Sequence, residues 1–131
     1  MARILIVDDN PSDRAVCRKL LGEAGHQVVA VACGADAVSV IEAVPCDLVL
    51  LDYELPGKNG GEVLQDIRAL CKTPVIACTG LASPADRKYV LGKGFDELIC
   101  KPVGKRDLLA LCDRYIGAPA PAGAAPAPKA A

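Results

Sequence analysis

Five short apolar runs, each followed by a stretch with helical spacing, constrain this chain more than any other feature. The runs are Ile4 to Val7, Val28 to Cys33, Leu48 to Leu51, Val75 to Cys78 and Leu98 to Cys100. Helical stretches of about 10 to 15 residues alternate with them, the signature of βαβ units around a parallel sheet. VVAVA and DLVLL are continuous rather than alternating, which predicts strands buried on both faces. The first strand covers about residues 3 to 7, after which Asn10 can cap a helix with Pro11 at its first position. Val16, Leu20 and Ala24 form its inward face, and Gly25 ends it. Strand two spans 27 to 33, a helix 35 to 44, and Pro45 breaks the chain before strand three at 47 to 51. Leu55 to Gly60 is loop. A third helix runs from Gly61 to Leu70 with Val63, Ile67 and Leu70 at apolar spacing, and strand four follows Pro74. Ser83-Pro84-Ala85-Asp86 reads as a capping box with Asp in place of Glu, opening helix four, which Gly92 and Gly94 close. Strand five is 96 to 100, and Lys105 to Ile116 is the last helix, with Leu108, Leu109 and Cys112 facing in.

Isolated polar residues stand where these runs end. Asp8 and Asp9 follow the first run, Asp52 the third, Thr79 the fourth and Lys101 the fifth. In an open α/β sheet the ligand crevice lies beyond the carboxyl ends of the strands, so these groups should converge at one edge. Three carboxylates without a cation would repel each other strongly. An all-oxygen set of this kind suits Mg²⁺, which binds through one or two carboxylates alongside phosphate oxygens. The cluster therefore points to phosphoryl chemistry.

Composition narrows the alternatives. At 131 residues the chain is read as one α/β domain, residues 1–116, followed by a tail, 117–131, made only of Ala, Pro, Gly and Lys129. Such a tail is flexible or polyproline-like. A net charge of -1 with both signs interspersed gives no basic stripe for nucleic acid and no polybasic membrane patch. Without a signal-type segment or an apolar run of membrane length, a cytoplasmic location is expected. The seven cysteines are odd in number and form no metal-type pairs, so they are read as small buried hydrophobes. Cys78 and Cys100 are the two whose oxidation would disturb the site. His26, the single histidine, sits at a turn and is read as structural.

The strings VDDN at 7–10, LLDYELPGKNG at 50–60, CTG at 78–80 and CKP at 100–102 resemble the phosphoacceptor receiver domain of bacterial two-component response regulators. The resemblance covers residues 3 to 116 and lies in four motifs in the right order, each at a strand end. It implies a doubly wound, flavodoxin-like (βα)5 fold with five parallel strands in the order 2-1-3-4-5. It implies Asp52 as phosphoacceptor and Mg²⁺ held by the side chains of Asp9 and Asp52 and the main-chain carbonyl of Glu54, with Asp8 holding a metal-bound water. Lys101 would neutralise the phosphoryl oxygens and Thr79 would swing to donate its hydroxyl to one of them. A cis peptide is implied before Pro102. The implied partners are a histidine kinase or phosphotransfer protein and a downstream protein target, with no DNA-binding domain and no membrane. The only chemistry expected is self-phosphorylation and self-dephosphorylation, so the chain is not expected to be an enzyme.

Departures from the family pattern mark the switch. Leu98 stands where most receivers carry Tyr or Phe, leaving Tyr89 or Phe95 as substitutes. Gly80 follows Thr79 where alanine is usual, and a Thr-Gly-apolar order is similar to a group of stand-alone receivers, although Ala77 and Ala82 replace that group's aromatics. Glu54 and Leu81 flank the route of the water that hydrolyses the phosphoaspartate. Docking is expected on the first helix and the loop before the last one, output on helix four, strand five and helix five.

Three other classes fit less well. A flavodoxin-type electron carrier needs a phosphate-cradling loop after strand one and aromatics to stack a flavin, whereas this chain has two aspartates there and four aromatics in all. An aspartyl phosphatase places its nucleophile after strand one in a DxD arrangement, and here the pair is adjacent. A receiver-fold adaptor working without phosphate is the remaining alternative: the complete site argues against it, and Leu98 keeps it open.

Overall fold

The computed structural model describes residues 2–80 and 83–116. Its elements alternate strictly: β1 (Arg3–Val7), α1 (Pro11–Glu23), β2 (Gln27–Val31), α2 (Gly34–Ala43), β3 (Leu48–Asp52), α3 (Gly60–Arg68), β4 (Val75–Thr79), α4 (Pro84–Leu91), β5 (Glu97–Cys100) and α5 (Lys105–Ile116). The strands form one sheet in the order β2-β1-β3-β4-β5, every pairing parallel. Period-two alternation divides each central strand between two cores. Leu5, Val7, Val49, Leu51, Val75 and Ala77 face α2, α3 and α4, where Val63, Leu64, Ile67 and Val90 meet them. Ile4, Ile6, Leu48, Leu50, Ile76 and Cys78 face α1 and α5, meeting Cys17, Leu21, Leu108 and Leu111. Covering both faces is what makes β3 and β4 buried at every position, as their continuous apolar sequences require.

The outer strands behave differently. Among the described residues β2 pairs only with β1, and its residues are half-buried apart from exposed Gln27, so VVAVA is an edge strand and not one buried on both faces. Asn10 caps α1 as expected, accepting from the N–H groups of Ser12 and Asp13 at 2.9 and 3.1 Å. The inward face of α1 is set one residue on from the expected stripe. Cys17 and Leu21 are buried, while Val16 is 50% exposed, because the helix axis turns the Cys17–Leu21 line onto Ile4 and Ile6. α3 ends at Arg68, which leaves Leu70 beyond the helix and 45% exposed. In α5 the buried residues are Leu108, Leu111 and Cys112, with Leu109 half-buried.

Caps at the other helices also differ from expectation. Ser83 accepts from the Asp86 N–H at 3.0 Å, but the reciprocal box belongs to α3, where Asn59 and Glu62 each accept the other's backbone N–H. Gly60, the first residue of α3, has a packing role: a Cβ there would stand 2.6 Å from Tyr53 Cα and 2.8 Å from the Asp52 carbonyl oxygen. The helix start can approach the end of β3 this closely only as glycine.

The seven cysteines form no disulfides among the described residues. Cys17, Cys78 and Cys112 are buried and the other four half-buried, so burial is complete for fewer of them than expected. Among the described residues, no helix is long and apolar enough to cross a membrane. The expectations for Leu81, Ala82 and the tail 117–131 lie outside the described residues.

Candidate functional site

The parallel order places the carboxyl ends of β1, β3, β4 and β5 side by side, and the register aligns them. Val7 is opposite Leu51, Asp52 opposite Cys78, and Thr79 opposite Cys100. The residue at or just after each strand end is therefore delivered to one crevice. Asp8, Asp52 and Thr79 are buried at 5, 4 and 0% exposure, the buried polar residues among those described, while Asp9 is exposed. One carboxylate oxygen from each of Asp8, Asp9 and Asp52 lies within 4.8 Å of the others. An all-carboxylate set at that spacing fits a hard divalent cation.

Lys101 enters from the end of β5, the edge strand beside β4. Its Nζ lies 2.9 Å from Asp8 Oδ2, 3.1 Å from Asp52 Oδ2 and 3.2 Å from Asp13 Oδ2. Its main-chain N–H donates to the Thr79 carbonyl at 2.8 Å, and the peptide bond to Pro102 is cis, as expected. Burial alone would lower the lysine's pKa, but hydrogen bonds to Asp8 and Asp52 outweigh it and raise the value above the ordinary 10.5. Lys101 stays a cation, which a pair of buried carboxylates requires.

Asp52 carries the largest electrostatic burden. Burial raises its pKa from 3.8 to about 6, against the lowering effects of the Glu54 amide and Lys101, and Asp8 adds to the rise. The Glu54 N–H donates to Asp52 Oδ1 at 3.0 Å, fixing the carboxylate's orientation. Asp8 is oriented in the same way by the Asn10 N–H, 2.9 Å from its Oδ1, and the Arg14 guanidinium donates to the Asp8 carbonyl at 2.8 Å. Beside the carboxylates opens a cavity of ≈ 120 Å³ whose walls include Val16, Cys17, Cys78 and Val103. That volume is several times the roughly 10–15 Å³ one water needs, so a tetrahedral oxyanion has room.

The expected residues converge, with two additions. Asp13, on the first turn of α1, is a third partner of Lys101 that sequence reading did not single out; Asp at the third helical position reads simply as a favourable charge on the helix dipole. The Glu54 side chain accepts from Thr79 Oγ1 at 3.0 Å and from the Gly80 N–H at 3.2 Å, a contact that no motif announces. Leu98 is 6% exposed and packs in the core with Tyr53 and Phe95. Phe95 is itself buried, edge-on to Tyr53 with centroids 6.1 Å apart. Tyr89 is 61% exposed on α4 and lies under the Lys93 ammonium, 4.5 Å from the ring centroid. Burial raises the pKa of the Cys78 thiol far above its ordinary value, so that thiol beside Thr79 is inert.

Comparison with known proteins agrees with this geometry. The sequence model of the family described as response regulator receiver domain matches residues 4–113. The chain is 33% identical over 121 residues to the sensor protein GacS of Pseudomonas syringae, covering 88% of this chain and 13% of that protein. It is 34% identical to the transcriptional regulatory protein AruR of Pseudomonas aeruginosa, covering 87% and 49% respectively. The chain thus spans no more than half the length of these relatives. Among solved structures it superposes with TM-score 0.81 and 34% identity on the receiver domain of a P. aeruginosa sensor histidine kinase with magnesium coordinated in its active-site cleft, covering 88% of this chain and 98% of that one. The BeF3-activated receiver domain of Klebsiella pneumoniae RstA gives TM-score 0.81 at 32% identity, covering 87% and 97%. Sequence, fold and acidic crevice together identify the chain as a member of the response regulator receiver domain family of two-component signalling.

Proposed function

We propose that this chain is a phosphorylation-driven switch: Asp52 accepts a phosphoryl group from a histidine kinase or phosphotransfer protein in an Mg²⁺-dependent reaction, and the phosphorylated form changes its affinity for a downstream protein. The observation that carries the reading is the single crevice in which Asp8, Asp9, Asp52 and Lys101 meet. Asp9, Asp52 and the Glu54 main-chain carbonyl would hold Mg²⁺, with Asp8 holding one of its waters. When bound, Mg²⁺ neutralises charge on the carboxylates and on the phosphoryl oxygens.

An Asp52 oxygen attacks phosphorus, the bond from phosphorus to the donor breaks, and the leaving group takes up a proton, giving an acyl phosphate. The protein's part is alignment and charge. The Glu54 N–H orients the nucleophile, and Lys101, already a cation on Asp52 Oδ2, supplies positive charge for an equatorial oxygen. The phosphoryl group adds roughly 1.5 to 2 negative charges and three acceptor oxygens. Thr79 then donates its hydroxyl to one of them and draws the end of β4 inward. The chain performs this chemistry on itself and is not an enzyme for a separate substrate. α1 and the loop before α5 form the side that meets the phosphoryl donor; α4, β5 and α5 form the output side.

Intact mass after incubation with Mg²⁺ and a small acyl phosphate tests the reading. Wild type should gain one phosphoryl group and Asp52→Asn none. No adduct on wild type, with Mg²⁺ binding established by titration, would favour phosphate-independent docking instead.

A further inference from the structure

We infer that the Glu54 side chain is a positioning residue for activation, holding Thr79 and the start of the β4–α4 connection in the resting arrangement until the phosphoryl group displaces it. The inference rests on the reading of Asp52 as phosphoacceptor. One carboxylate oxygen, Glu54 Oε1, accepts both the Thr79 hydroxyl at 3.0 Å and the Gly80 N–H at 3.2 Å. Two consecutive residues of the β4 end are thereby pinned to the loop after β3. A hydroxyl has one proton to donate, so Thr79 serves either Glu54 or a phosphoryl oxygen. Thr79 is fully buried, and bulk water does not stand in for Glu54 at that hydroxyl.

Phosphorylation acts on both ends of this contact. The Glu54 main-chain N–H is bonded to Asp52 Oδ1 at 3.0 Å, so Glu54 neighbours the residue that gains the negative charge. Like-charge repulsion favours departure of the Glu54 carboxylate, and Glu54 is exposed, with solvent to move into. The event that attracts Thr79 thus expels the group that holds it. The Gly80 contact uses a main-chain N–H; a Cβ at Gly80 would meet Glu54 Oε1 at 3.8 Å, ordinary contact, so the absence of a side chain there is not what the contact requires.

The test compares wild type with Glu54→Ala and Glu54→Gln, all of which keep the Glu54 main-chain carbonyl. In metal-free protein the Gly80 amide proton of Glu54→Ala should move upfield in the NMR spectrum as its charged acceptor disappears, with Glu54→Gln between the two. With Mg²⁺ present, beryllofluoride, a phosphoryl mimic, should bind Glu54→Ala about tenfold more tightly, since no hydrogen bond to a charged acceptor has to be given up. A Gly80 amide that does not move, or a beryllofluoride affinity that is unchanged or weaker, overturns the inference. Should Glu54→Ala fail to fold, wild type decides: its Gly80 amide must move upfield on adding beryllofluoride, and an unmoved amide is a refutation. Wild type that takes up no beryllofluoride at all overturns the reading of Asp52 instead, while the metal-free amide shift still reports the resting contact.

Discussion

Replacing Asp52 by Asn should make the metal-free protein more stable at neutral pH, although it removes the proposed phosphoacceptor. Burial raises the pKa of this carboxyl from 3.8 to about 6, even with the Glu54 amide and Lys101 favouring its charged form. A folded-state value above the unfolded one means that the fold prefers the protonated group. Stability is therefore greatest below about 3.8, falls as the pH rises toward about 6, and is lower by a constant amount above it. The shift corresponds to a ceiling of about 3 kcal/mol at 1.36 kcal/mol per pH unit. Screening by water at the mouth of the crevice reduces this to about 1–2 kcal/mol. Asn keeps an oxygen for the Glu54 N–H, 3.0 Å away in the wild type, and carries no charge to desolvate. Urea denaturation followed by far-UV circular dichroism, with a chelator present, should show the variant about 1–2 kcal/mol more stable at pH 7.5 and the gap closing toward pH 4.5. Mg²⁺ should narrow or reverse the order, because binding to the native wild type stabilises it by mass action. A variant no more stable at pH 7.5, or a gain that does not shrink with acid, would refute the assignment of burial as the dominant cost.

Lys101→Met should destabilise the metal-free protein by about 3 kcal/mol, since it leaves the buried carboxylates of Asp8 and Asp52 without their cation; thermal melts should also show a larger gain from added Mg²⁺ than in wild type. Gly60→Ala should cost at least about 2 kcal/mol, because its Cβ would collide with backbone atoms of Tyr53 and Asp52, which cannot yield as a side chain would. Its denaturation midpoint and its rate of phosphoryl uptake should fall together. His26, whose Nδ1 is buried without a hydrogen-bond partner, has its pKa lowered chiefly by burial. The folded state thus resists the proton that the unfolded state accepts, and stability contributed by the neutral ring is lost as the pH falls below about 6.5. Between pH 7.5 and 5, wild type should lose more stability than His26→Gln in parallel denaturant titrations, and equal losses would count against that role.

The local order of this protein is written in its sequence because local physics suffices for it. Continuous apolar runs specify strands, Asn10 and Pro11 open α1 where expected, and α5 spans Lys105–Ile116 as its spacing implies. The convergence of Asp8, Asp9, Asp52, Thr79 and Lys101 was also legible, since parallel strands bring their carboxyl ends to the same edge whatever their order. Tertiary structure alone decided what depends on neighbours distant in sequence. β2 became half-buried because, among the described residues, no strand pairs with its outer side, a property of strand order that hydrophobicity does not encode. The buried line of α1 moved from Val16 to Cys17, since periodicity defines a stripe only to within about one residue, and packing against the sheet chooses the rest. Asp13 reaches Lys101 across 88 positions and Glu54 reaches Thr79 across 25. Asp13 lies outside the strand-end motifs, and LLDYELPGKNG contains Glu54 without showing where its side chain goes; each finds its partner only once the loops at the sheet edge have been folded against one another.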